Sequence, residues 1–179
     1  MILDKHYLYW IYVIPSNRPF RKSPFTYKGK ALTKKEYIEH WGKWVVMDEK
    51  ENLDKLALSL ESYVEKRAIY SIKYSRTNEE IFDIDSCVMC VFCDDREKND
   101  VWNILSAKGV TLKAWVYDRD VIKMWQPGGF MLEKWLDKFS VTGKEAEEIR
   151  KSTQKKYDKW LSSIETDSST DPWSFELLC

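Results

Sequence analysis

Leu53, Leu56, Leu60, Tyr63 and Val64 recur at helical spacing through residues 52–66, with charged residues between them. Such a helix has one apolar stripe that must be buried against a second layer. The flanking segments supply that layer. Residues 7–14 form a continuous run of aromatic and β-branched residues ending at Pro15, residues 44–47 and 68–75 read as strands, and residues 86–93 form a more apolar strand. The first run is expected to be a central strand and the last two to be antiparallel neighbours. Thr33 and Glu36 have the form of a capping box, which predicts a helix over 34–40 ended by Gly42. Asp94 and Asp95 lead into a helix over 96–107, with Val101, Trp102 and Leu105 as its buried stripe and Gly109 as its stop. Strand residues resume at 110–117, one helical turn fits 121–125, Pro127-Gly128-Gly129 is a break, and 130–139 and 144–164 have helical spacing.

This order predicts an α+β domain over 1–164, built on a curved, mainly antiparallel sheet with helices on one face, followed by a tail over 165–179. A doubly wound parallel sheet is disfavoured because no strand runs into a glycine-rich phosphate loop. With 179 residues, 44% hydrophobic and 15% aromatic, the chain can fill a sizeable core. No stretch approaches the roughly 18 apolar residues of a membrane span, and the first residues lack the pattern of a secretion signal. Three of the four cysteines crowd into Cys87, Cys90 and Cys93, and the fourth is Cys179, a poor disulfide framework. Free thiols and a cytoplasmic location are expected, with no membrane partner.

Charge cancels over the whole chain, 29 basic against 29 acidic residues, so no global field drives it onto a polyanion. It is nevertheless segregated. Residues 16–30 carry Arg18, Arg21, Lys22, Lys28 and Lys30 with no acid and read as an exposed basic loop. The tail carries four acids and no base, with Trp173, Phe175, Leu177 and Leu178 among them.

The spacing of Cys87, Cys90 and Cys93 invites a metal reading, but in a strand residues three apart face opposite sides, so the three thiols do not converge and no metal is expected. No zinc-hydrolase, nucleophile-elbow or phosphate-loop motif is present, and nothing indicates a cofactor. The residues that stand out are cations at strand ends, Lys73, Arg76 and Arg119, which suit phosphate or carboxylate. Most tryptophans, Trp10, Trp41, Trp44, Trp102 and Trp115 among them, are expected in the core. Trp125 and Trp173 adjoin breaks and fit stacking platforms. Trp41, beside His40 and close behind the basic loop, is a further candidate.

Gly42-Lys-Trp-Val-Val-Met, the helix after it, the strand bearing Lys73, Cys87 to Cys93, Asp100-Val-Trp, Gly109-Val and Val116-Tyr-Asp-Arg-Asp follow one another in a pattern that resembles the basophilic leukemia-expressed protein family. That family's fold is similar to that of cap-binding translation initiation factor 4E. The resemblance covers residues 41–120 and implies a curved antiparallel sheet backed by helices. It also implies a lysine at Lys73 and a Tyr-Lys-x-Asp motif where this chain has Tyr117-Asp-Arg-Asp, which moves the cation to Arg119.

Three functions follow as expectations. One is a module binding a small phosphorylated ligand, a nucleotide or RNA through a basic, aromatic concave face that includes Arg76, Arg119, Tyr117, Trp41, Arg21 and Lys22. Another is an enzyme on a phosphorylated or carboxylated substrate, with Lys73 as base and His40 as acid. The third is a protein-interaction module that uses the basic loop or the acidic tail.

Overall fold

The computed structural model describes residues 1–4, 9–17 and 25–164, with side chains through residue 162. Along the chain come β1 (Ile2–Leu3), β2 (Trp10–Val13), β3 (Thr26–Tyr27), β4 (Lys30–Ala31), α1 (Lys34–His40), β5 (Trp41–Asp48) and α2 (Lys50–Glu65). There follow β6 (Ser71–Ser75), β7 (Cys87–Asp94), α3 (Lys98–Ala107), β8 (Trp115–Tyr117), α4 (Asp118–Met124), α5 (Phe130–Lys138) and α6 (Gly143–Ile164). The fold is α+β, and every strand pair among the described residues is antiparallel. The residues sort into two compact units: Met1–Ser23 with His40–Tyr117, and Pro24–Glu39 with Asp118–Cys179.

The first unit is a six-stranded sheet in the order β1-β2-β6-β7-β5-β8. Its middle goes to β6 and β7, the latter buried at all but one of its positions. β2 is therefore second from an edge and not central, because the short β1 pairs on its outer side. The register sorts side chains by parity. Ile11, Val13, Ile72, Tyr74, Met89, Val91, Trp44 and Val46 share one face and form a single core with Leu53, Ala57, Leu60 and Val64 of α2 and Val101 and Leu105 of α3. Complete burial of one such leucine contributes about 2 kcal/mol. Trp44 belongs to this core, 5.0 Å from Trp102 and 5.3 Å from Trp115 between ring centroids, and its indole N–H donates to the Lys98 carbonyl at the start of α3.

Gly42 does not stop α1; it lies inside β5. A Cβ there would meet Trp115 Cζ2 at 2.5 Å and the Val116 carbonyl at 2.7 Å. The glycine thus serves the approach of β8 to β5, with Tyr117 as its register partner.

In the second unit the capping box forms as expected: Glu36 N–H donates to Thr33 Oγ1 at 3.2 Å, and Thr33 N–H to Glu36 Oε2 at 2.9 Å. The expected basic loop contains a hairpin, since Lys28 and Gly29 both have positive φ (47° and 78°) between β3 and β4, the backbone of a tight two-residue turn. Its residues 18–24, with Arg21 and Lys22, lie outside the described residues, as does the tail over 165–179. Leu132, Leu136 and Ala146 form a small core with Trp125 packed on it, so Trp125 is a packing residue and not an open platform.

Gly42→Ala is expected to lower the unfolding free energy by about 1–3 kcal/mol, the usual cost of overpacking, in urea titrations followed by tryptophan fluorescence. An unchanged midpoint and slope would show that Trp115 moves aside without cost.

Candidate functional site

Two of the predicted residues meet, but on a carboxylate. His40, the last residue of α1, and Tyr117, at the end of β8, both reach Asp95, whose own N–H donates to the His40 carbonyl at 2.8 Å. His40 Nδ1 lies 3.0 Å from Asp95 Oδ1, and the Tyr117 hydroxyl donates to Oδ2 at 3.0 Å. A carboxylate only accepts, so Nδ1 carries the proton. Next to it Asp94 is fully buried and is gripped by Arg96 through Nε to Oδ1 and Nη2 to Oδ2, both at 2.7 Å, and through the Arg96 backbone N–H.

Donor atoms of His40, Asp94 and Asp95 lie within 4.8 Å of one another. A cation placed there would face the Arg96 guanidinium and would displace the protons of His40 and Tyr117, so the cluster reads as a hydrogen-bonded clasp of the sheet edge and the α3 turn.

Lys73 stands on the other side of the sheet. In β6 it alternates with Ile72 and Tyr74 of the core, and its register partners are Tyr12 and Cys90. Neither α2 nor α3 packs on that face. Lys73 Nζ lies 4.6 Å from the centroid of Trp10 and 5.7 Å from that of Phe92, and Lys43 Nζ lies 5.3 Å from Phe92. Among the described residues no carboxylate comes within ion-pair distance of Lys73. Trp10, Tyr12, Lys73 and Phe92 are half-buried, so rings and cation are partly desolvated and partly open, the condition under which a cation over an aromatic ring gains most. Cys90 is on this face, while Cys87 and Cys93 belong to the helix-side core, as the parity argument requires.

Glu79 closes one end of this face. It is only 6% exposed, its Oε1 is without a hydrogen-bond partner, and burial pushes its carboxyl up, against the pull of Tyr9, Lys73 and Ser75. Burial and Glu79 together push the Tyr9 hydroxyl up to about 12.

The remaining candidates are placed elsewhere or spent locally. Lys73 pairs with Cys90 and Asp95 lies five positions further on, about 16 Å along an extended strand, so Lys73 and His40 do not converge on one bond. Arg76 is ion-paired with Asp4. Arg119, in the second unit, donates to the carbonyls of Ile38 at 3.2 Å and Glu39 at 2.8 Å; it covers the carbonyl end of α1, where a cation is favoured. Trp41 is 0% exposed and edge-on to Tyr70 at 4.7 Å, so it is a core residue and offers no stacking surface. Sequence reasoning missed Asp95, Lys43, Phe92 and Trp10 as members of these clusters. The signal that finds the last three is strand parity, once Lys73 is set opposite Tyr12 and Cys90.

No family model, curated protein or solved structure matches the chain.

Glu79 binds its proton more tightly folded than unfolded, so its contribution to stability is full below its unfolded pKa and is lost as pH rises through the folded value. Urea titrations between about pH 4 and 8 are expected to show Glu79→Gln gaining stability on the unaltered chain as pH rises. A difference that stays flat contradicts this assignment.

Proposed function

We propose that the face of the sheet opposite α2 and α3, around Lys73, binds a small phosphorylated ligand of the nucleotide class. The observation that carries this reading is Lys73, a half-buried ammonium held over Trp10 and beside Phe92 with no carboxylate within ion-pair distance among the described residues. Ring faces beside cations suit a ligand with a base and a phosphate, since stacking and charge pairing then act together. Chain neutrality favours a small ligand over a long polyanion.

The finer reading of the fold, similar to translation initiation factor 4E, belongs to the same proposal. It is supported by the antiparallel sheet with α2 and α3 on one face and by the resemblance over residues 41–120. A cytoplasmic location is also proposed; the free thiols of Cys87, Cys90 and Cys93 support it. Among the described residues no helix is long and apolar enough to cross a membrane. The reading with Lys73 as base and His40 as acid of one enzyme loses support from their separation.

A thermal-shift panel of nucleotides, short RNA, phosphoamino acids and metabolite carboxylates on the full chain tests the proposal. Saturation at about 100 times the dissociation constant adds about 2.7 kcal/mol of stability. A shift is expected for a nucleotide, lost in Lys73→Ala and kept in His40→Ala. If no compound shifts the transition, or if the shift survives Lys73→Ala, the Lys73 face is not the site.

A further inference from the structure

The pairing of β5 with the chain before and along β8 ends early. Its register runs from Gly42 opposite Tyr117 to Trp44 opposite Trp115, and one further bond joins the Val45 N–H to the Ala114 carbonyl at 2.8 Å. In an antiparallel ladder alternate residues bond to the same neighbour, so Met47, two beyond Val45, turns its N–H and C=O to this side. Among the described residues neither finds a backbone partner there. The Met47 side chain goes to the face opposite α2, since Trp44 and Val46 take the core side. Beside this open edge a groove of about 370 Å³ lies between β5, α2 and residues 108–112, all of the first unit. Leu56 and Val110 supply apolar walls. Lys55 and Lys108 line it as well, both exposed, and neither has an acid within ion-pair distance among the described residues. Asp48 is the acid in the lining, and its carboxylate already accepts from the Glu49 N–H and the Asn52 side chain, at 2.7 and 2.9 Å.

Three demands meet at this groove: an unmet main-chain donor and acceptor, apolar walls, and two cations without acids. A fatty or aromatic carboxylate answers the last two and leaves the strand edge unpaired. The end of a polypeptide answers all three, because its terminal carboxylate brings the charge on the main chain itself and leaves the side chain for the apolar walls. A volume near the small end of ligand pockets, which span about 300–1,000 Å³, suits a few residues and not a long segment. We propose that the groove captures the free C-terminus of a partner polypeptide. Its last residues add to the edge of β5 at Met47, its apolar terminal side chain enters between Leu56 and Val110, and its carboxylate meets Lys55 and Lys108.

The test follows the backbone amide signals of the isotope-labelled full chain in proton–nitrogen correlation spectra. The probes are acetylated Ser-Gly peptides ending in Leu, Val or Phe, each with a free carboxylate and as its C-terminal amide, together with octanoate, an apolar carboxylate without a peptide group. Saturable shifts at Ser59 and Thr111 are expected, with the Met47 amide proton moving downfield as it gains an acceptor. The free carboxylate is expected to bind about tenfold more tightly than the amide. That preference disappears in the chain carrying Lys55→Glu and Lys108→Glu and is kept in Lys73→Ala. Both lysines are exposed, and a spectrum unchanged away from the groove shows that the variant is folded. The proposal is overturned if no peptide shifts the groove signals, if amide and carboxylate bind alike, or if the preference survives the double charge reversal. Octanoate binding as tightly as the peptides, with the Met47 amide unmoved by either, overturns it too and assigns the groove to small carboxylates.

Discussion

The apolar stripe of α2 can be buried on only one side of a sheet, and that one-sidedness organises the first unit. Leu53, Ala57, Leu60 and Val64 are at most 1% exposed, against Ile72, Met89 and Val91 of the two middle strands. Once those strand residues face the helix, the alternation of the pleat turns Lys73, Cys90 and Phe92 to the far side. The cation and the rings are thus gathered by the same register that builds the core. A one-residue slip of β6 against β7 would put Lys73 into the core and Ile72 and Tyr74 outside, so the placement of Lys73 is as strongly specified as the burial of its neighbours.

Much of this architecture was legible because local chemistry and tertiary demand agree. The Thr33 and Glu36 capping box, the stripe of α2 and the stop at Gly109, with φ +92°, all appear where the sequence places them. The failures share another cause. Gly42 has the look of a helix stop, yet its lack of a side chain answers to Trp115, more than seventy positions away in the chain. Trp41, a ligand candidate for its place beside His40 and behind the basic loop, is buried edge-on to Tyr70. The strand predicted over 110–117 shrinks to Trp115–Tyr117, the residues in register with β5, with one further bond from the Val45 N–H to the Ala114 carbonyl. Each error lies where one segment's conformation is decided by a distant one.

The candidate site shows the same division. Cations at strand ends are readable in the sequence, but whether each is spent at home is not. Arg76 and Arg119 turn out to be spent, on Asp4 and on helix carbonyls, and His40 and Tyr117 are bound up with Asp95. Lys73 differs because it lies over rings, with no carboxylate within ion-pair distance among the described residues. Its separation from the clasp at Asp95 divides the first unit's polar chemistry between a structural edge and a face with unspent charge.

The strand order also bears on how the chain reaches this state. β6 and β7 follow α2 and are joined by residues 76–86, whereas β5 precedes α2 and pairs along all eight of its residues with β7, across the whole intervening helix and strand. Loop closure must be met before that ladder returns any energy, and non-local pairing of this kind slows folding. The ladder that carries Gly42 and holds the Asp95 clasp at its end is therefore both among the longest in the sheet and the one whose assembly waits on the rest.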